Sequence, residues 1–210
     1  MAVRPIVRLG HPALRTPASR LAVSRLGAPE VQELIDDMVA TMREAEGVGL
    51  AAPQVGVGLQ VFVYEAMSAG TVEPEELQDS MDGAEGAAGR GRRHGRIPLH
   101  VLVNPRIAPQ AGELVEDWEG CLSIPDLRGL VPRHPRVRVQ GLDRDGRPLD
   151  YLAGDFEARI VQHELDHLKG IVFLDRMLDL RTLAFYEEWE RFVLGGESER
   201  EEEDAGDTDL

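Results

Sequence analysis

The stretch Gln162-His163-Glu164-Leu165-Asp166-His167-Leu168-Lys169-Gly170 constrains the fold more than any other part of this chain. It carries the pattern H-E-x-x-H. Two histidines four residues apart stand one turn from each other on one helix face, so their imidazoles can share one metal ion. Glu164, beside the first, can take the proton of a water that the metal acidifies. The segment reads as helix: Asp155 suits the N-cap, Phe156 to Leu168 contains no Pro or Gly, and Gly170 suits the C-terminal stop. Phe156, Ile160, Val161, Leu165 and Leu168 spread apolar side chains over more than one face, which predicts a buried helix. The alternative is a pair of core histidines with satisfied hydrogen bonds.

Two histidines do not complete a catalytic site, which wants three protein ligands and one open position. The extended protease pattern H-E-x-x-H-x-x-G-x-x-H supplies a third His. Here Gly170 is in place, but Phe173 stands at the last position and cannot ligate, which weighs against a zinc endopeptidase. The third ligand has to come from elsewhere in the chain.

Of the 210 residues, 42% are hydrophobic and 29% charged, as in one globular domain with a good core. No run of 18 apolar residues is present, so no membrane-spanning helix is expected. The net charge of -15 opposes binding of nucleic acid by bulk electrostatics. Residues 1 to 29 contain Arg4, Arg8, Arg15, Arg20 and Arg25 and no acid. Pro5, Pro12 and Pro17 nevertheless argue against an amphipathic targeting helix there. The single cysteine, Cys121, excludes an intrachain disulfide and fits a reducing compartment such as the cytoplasm. A lone cysteine is ordinarily a small buried hydrophobe, but a chain short of a metal ligand gives it a second use.

Residues 3 to 27 read as an extended arm with turns. Val31, Leu34, Ile35, Met38, Val39 and Met42 recur at steps of three and four, which predicts a core-packing helix over 29–46. Gly47 to Gly56 is a loop of small residues, without the spacing of a phosphate loop. Strands are expected at Leu59 to Tyr64, at Leu99 to Val103 closed by Asn104-Pro105, and at Glu113 to Trp118. Arg136 to Leu142, the Asp145-Gly146 turn and Pro148 to Leu152 form a hairpin. Residues 65 to 96, acidic and then Gly/Arg-rich, read as a mobile insertion. A last helix is expected over 180–194, with Leu183, Trp189, Phe192 and Val193 as its contacts. The acidic tail beyond it reads as disordered, leaving 1–194 as one catalytic domain.

Three separated stretches, Gly47 to Gly56, Glu119 to Ser123 and Gln162 to His167, together resemble the motifs of the peptide deformylase family, in the same order. The signatures G-apolar-G-apolar-A-A-P-Q, E-G-C-L-S and Q-H-E-x-D-H are matched at every defined position, and Arg8-Leu9-Gly10-His11-Pro12 is also similar. The resemblance covers residues 3 to about 180. It implies an α+β fold, with mixed or antiparallel β-sheets around a central metal-binding helix flanked by N-terminal and C-terminal helices. It implies hydrolysis of the formyl group from the N-terminal methionine of new polypeptides. The implied partners are N-formylmethionyl nascent peptides and, transiently, the ribosome. An acidic tail opposes an rRNA-binding C-terminal helix.

By the same resemblance Cys121, His163 and His167 bind the metal, typically ferrous iron, with zinc, nickel or cobalt able to take its place. A thiolate with two imidazoles is a sound set for a first-row divalent ion. Glu164 is the implied general base and acid. The side-chain amide of Gln54 and the backbone N–H of Leu122 are the implied donors to the oxyanion. Gly49 would let a substrate backbone lie alongside, Val48 would wall the methionine pocket, and Arg128 would meet the distal peptide or make a surface salt bridge. Asp166 reads as a supporting acid and not a ligand.

Overall fold

The computed structural model describes residues 1–66 and 96–195. The expected insertion, from residue 67 to 95, and the acidic tail from 196 lie outside the described residues.

The first helix, α1 (Pro29–Glu44), starts with a proline at its first turn, where a missing N–H costs nothing. It buries Val31, Leu34, Ile35, Met38, Val39 and Met42, the face set by their spacing. Among the described residues eight strands follow: β1 (Gly49–Ala51), β2 (Val61–Ala66), β3 (Ile97–Pro109), β4 (Val115–Cys121), β5 (Ile124–Arg133), β6 (Arg136–Leu142), β7 (Pro148–Gly154) and β8 (Ala184–Phe185). They form an antiparallel five-stranded sheet in the order β1-β2-β3-β6-β7 and a three-stranded sheet in the order β4-β5-β8. The second helix, α2 (Asp155–Leu168), carries the histidines. A four-residue turn of helix, α3 (Tyr186–Trp189), runs on into a wider π turn over Glu190–Leu194.

The large sheet is covered on both faces, so β2 reads as an unbroken apolar run. Val61, Val63, Val101 and Val103 pack with Leu50 against α1. Phe62, Tyr64 and Leu102 point the other way and pack with Val137 and Val139 against Ile160, Val161 and Leu168 of α2. Each such buried side chain contributes about 1.5–3 kcal/mol relative to exposure. The first turn of α2 is also tied to the sheet by polar groups. Tyr64 donates its hydroxyl hydrogen to Glu157 at 2.8 Å, and the Tyr151 hydroxyl lies 2.6 Å from that of Tyr64. A third cluster, with Ile124, Val131, Val172 and Phe173, packs behind Cys121.

Several elements differ from expectation. The N-cap of α2 is Gly154, and Asp155 is the first helical residue, with φ of +48°. The Gly47 to Gly56 stretch contains a short edge strand, β1, followed by a 3₁₀ turn over Ala52–Val55. Asn104-Pro105 does not close β3. The strand passes through them on a bulge between Val103 and Arg106, with Asn104 at φ +52°. The Asn104 amide instead accepts from Leu21 N at 2.9 Å and donates to Leu21 O at 2.8 Å, substituting for a backbone partner. β5 falls where no strand is expected from residue pattern. The single helix expected over 180–194 is a 3₁₀ turn, a strand and a short helix, and Phe192 is exposed.

The N-terminal arm seats the site's loops. Val7 N donates to Gln54 O and Leu9 N to Ser123 O, both at 2.9 Å, while Ala18 N donates to Leu168 O at 2.9 Å. Gly170, at φ +75°, ends α2 where a Cβ would press 2.8 Å from the Arg15 carbonyl group.

Candidate metal centre

Two elements bring the chemistry together. Helix α2 presents His163, Glu164 and His167 on one face. The β4–β5 hairpin turns through Leu122 and Ser123, because Cys121 and Ile124 pair directly, and this tight turn thrusts Cys121 toward the helix. Cys121 Sγ lies 3.3 Å from His167 Nε2, which lies 3.2 Å from His163 Nε2. All three donor atoms fall within 4.8 Å of one another. Such separations are close to the edge lengths of a tetrahedron with bonds of about 2.0–2.3 Å, as first-row ions make to imidazole and thiolate. The set therefore fits a divalent ion with one position left open.

The outer nitrogen of His163 fixes its tautomer. Nδ1 lies 2.9 Å from the Glu119 carboxylate, which can only accept, so Nδ1 carries a hydrogen and Nε2 is the nitrogen turned toward the other two donors. Glu119 is itself clamped. Arg133 donates to both its oxygens at 2.9 and 3.0 Å, and Arg159 donates to one of them at 2.8 Å. Burial alone would raise the Glu119 pKa, but His163 and Arg133 outweigh it and hold the carboxyl well below its usual range. Arg133 also donates to Asp166, whose two oxygens accept from Arg176 at 2.7 and 3.0 Å. Asp166 thus bonds arginines and stands apart from the ligand atoms. Burial holds the His167 pKa well below its ordinary value, so its imidazole is neutral and able to ligate.

Glu164 is buried, and its Oε2 has no hydrogen-bond partner among the described residues. Burial pushes its pKa up to about 7, against the opposing pull of His163. A carboxylate held this way is suited to exchanging protons near neutral pH. Gln54 is fixed at both ends of its amide. Its Oε1 accepts from Ala51 N at 2.8 Å, which turns Nε2 toward Ser123 Oγ at 3.3 Å and Cys121 Sγ at 3.6 Å.

These groups open onto a cleft of about 500 Å³. Val48, Gly49, Gln54, Leu122, Arg128 and Glu164 line it, as do the ligand residues Cys121 and His163, with His167 behind them. At Gly49 a Cβ would overlap the Glu164 carboxylate. Arg128 makes no salt bridge with a described residue; its guanidinium lies over the Tyr186 ring.

Sequence reasoning missed the parts played by Glu119, Arg133 and Arg159. Glu119 shares a strand face with Cys121, two residues away, a period-two signal that was available. The two arginines gave no signal, because an arginine in a strand or helix reads as a solvated charge.

The family model of polypeptide deformylase matches residues 3–182. The chain is 41% identical over 183 residues to peptide deformylase 1 of Nitrosomonas europaea, covering 87% of this chain and 92% of that one. It is 37% identical to the chloroplastic peptide deformylase 1A of Solanum lycopersicum, covering 84% of this chain and 60% of that one. A class I type b peptide deformylase from Acinetobacter baumannii, solved with Met-Ala-Ser bound, superposes with a TM-score of 0.69 at 33% identity, covering 84% of this chain and 99% of that one.

Proposed function

Because the chain belongs to the polypeptide deformylase family, we infer that the cleft takes a formylated peptide N-terminus and that its residues divide the work of hydrolysis. The protein is a metal-dependent peptide deformylase, which removes the N-formyl group from nascent peptides. One observation carries the reading at residue level: Cys121 Sγ converges on the Nε2 atoms of His163 and His167 beside the buried carboxylate of Glu164.

Cys121, His163 and His167 hold the ion, and Glu119 orients His163. The ion, when bound, supplies Lewis acidity, polarising the formyl carbonyl and acidifying the attacking water. Glu164 takes the proton of that water and returns it to the departing amine, help typically worth roughly 10² to 10⁴ in rate. The Gln54 Nε2 hydrogens and the Leu122 N–H face the oxygen that gains charge, and one such donor is worth about 10² to 10³ in kcat. β1 is an edge strand, so its main chain is available to pair with an extended substrate. Val48 walls the space for the methionine side chain, and Arg128 meets the peptide beyond it.

Ferrous iron is the proposed native ion, on the family resemblance, since the donor types also accept zinc, nickel and cobalt. We place the protein in the cytoplasm, where its encounter with ribosomes is transient: the net charge of -15 repels rRNA. No helix among the described residues is long and apolar enough to cross a membrane.

Protein purified anaerobically and loaded with iron is expected to release formate from formyl-Met-Ala-Ser. The E164Q variant is expected to keep its metal and lose turnover. Absence of formate with any of the four ions would overturn the function, and wild-type turnover by E164Q would remove Glu164 from the chemistry.

A further inference from the structure

The segment after residue 182 lies beyond the reach of the family match, yet it borders the cleft. β8 adds to β5 by pairing Ala184 with Arg128 and Phe185 with Leu127. The chain then turns so that the Tyr186 ring lies beneath the Arg128 guanidinium, 5.1 Å from centroid to Cζ. Trp189 packs against Tyr186 at 5.6 Å and against Trp118 at 5.9 Å. Both Arg128 and Trp118 line the cleft.

Arg128 is set against backbone from its other side. Its guanidinium lies so close over Gly120 that a Cβ there would overlap Nη1. Gly120 immediately precedes the ligand Cys121, so the guanidinium stands next to the metal centre. Among the described residues no carboxylate pairs with it, and its stacking on Tyr186 leaves the N–H donors in the guanidinium plane uncommitted. An arginine fixed this way loses little freedom when an acceptor arrives.

We propose that Tyr186 is a positioning residue for peptide binding: its ring holds the Arg128 guanidinium ready to donate to a main-chain carbonyl or terminal carboxylate following the methionine. The proposal rests on the reading of the cleft as the formyl-peptide site. It gives the C-terminal segment a place in substrate recognition, acting through Arg128 and never touching the reacting atoms.

The test compares formyl-Met-Ala-Ser with formyl-methioninamide, which ends at the methionine, on the iron-loaded full chain. Y186L is expected to raise KM for the tripeptide about two- to fivefold, the strength of one cation–π contact, with kcat unchanged. On formyl-methioninamide it is expected to match wild type, and Y186F, which keeps the ring, is expected to match wild type on both. R128A raises KM for the tripeptide at least as much, and adding Y186L to R128A changes nothing further. Y186M serves if Y186L does not fold. Equal effects of Y186L on both substrates, a fall in kcat instead of a rise in KM, or a full effect persisting in the R128A background would each overturn the proposal. Absence of formate from both substrates with wild-type protein would instead overturn the reading of the cleft itself.

Discussion

Glu164 occupies the space that a side chain on Gly49 would need. The Glu164 carboxylate and the edge strand β1 therefore share one volume, and the glycine is what lets the carboxylate approach that strand. G49A is expected to displace Glu164, whose Oε1, Cδ and Cγ are the atoms nearest the added methyl, and to leave the three ligands bound to their ion. The expected outcome is a fall in kcat of roughly 10² to 10⁴, the range for loss of general base catalysis. Steady-state kinetics paired with metal content per chain checks it; lost metal would point to a different cause.

Glu119 faces two arginines and a metal ligand at once. E119Q leaves the buried Arg159 without its carboxylate partner and Arg133 with Asp166 alone, a loss of about 3–5 kcal/mol. It also frees the His163 ring, at a cost of roughly 10- to 100-fold in metal affinity. Thermal unfolding with and without metal, and competition with a chelator, measure the two effects separately. A variant as stable as wild type would show that the clamp contributes nothing to the fold.

Metal binds only when Cys121, His163 and His167 have converged, so it stabilises the native state and not the unfolded one. Free ion at 100 times its Kd is expected to add about 2.7 kcal/mol, and chelation to remove it together with activity. The check is a rise in Tm with the logarithm of ion concentration, which a C121A variant does not show.

Asp37 is buried and accepts from Ala2 N at 2.6 Å and from the Arg4 guanidinium. The Ala2 N–H, and then Arg4, hold its pKa below the ordinary carboxylate value against the effect of burial. A depressed carboxyl pKa means that docking of the arm is fully supported above the unfolded value, near 4. That support is lost as pH falls through the lower, folded value. Faster amide exchange at Ala2 and Arg4 is expected in acid, and at neutral pH in D37N. Exchange that is independent of pH, after correction for intrinsic rates, would count against the role.

The parts of the fold legible in the sequence are those whose pattern is local. The faces of α1 and α2 follow from apolar spacing, and the β6–β7 hairpin from alternation around Asp145-Gly146. β5 was hidden by Pro125, Pro132 and two arginines. β8 covers only Leu127 and Arg128, so both prolines fall where the strand has one unpaired edge, the place a sheet tolerates them. The C-terminal segment carries helical spacing, yet pairing of Ala184 and Phe185 with β5 overrides it. The ligands were legible because few side chains can bind a metal. The charge chain from Glu119 through Arg133 and Asp166 to Arg176 was not, since it joins residues far apart in sequence.

The arm that touches Gln54, Ser123 and Leu168 is synthesised before all three of its partners. During synthesis it waits, unanchored, until the last of them has emerged, and His167 arrives at almost the same moment. A polypeptide broken off before that point holds neither a closed ring of ligands nor the stitching around it. Closure of the ligand set and anchoring of the arm are therefore coupled to one stretch of chain, Asp155–Leu168.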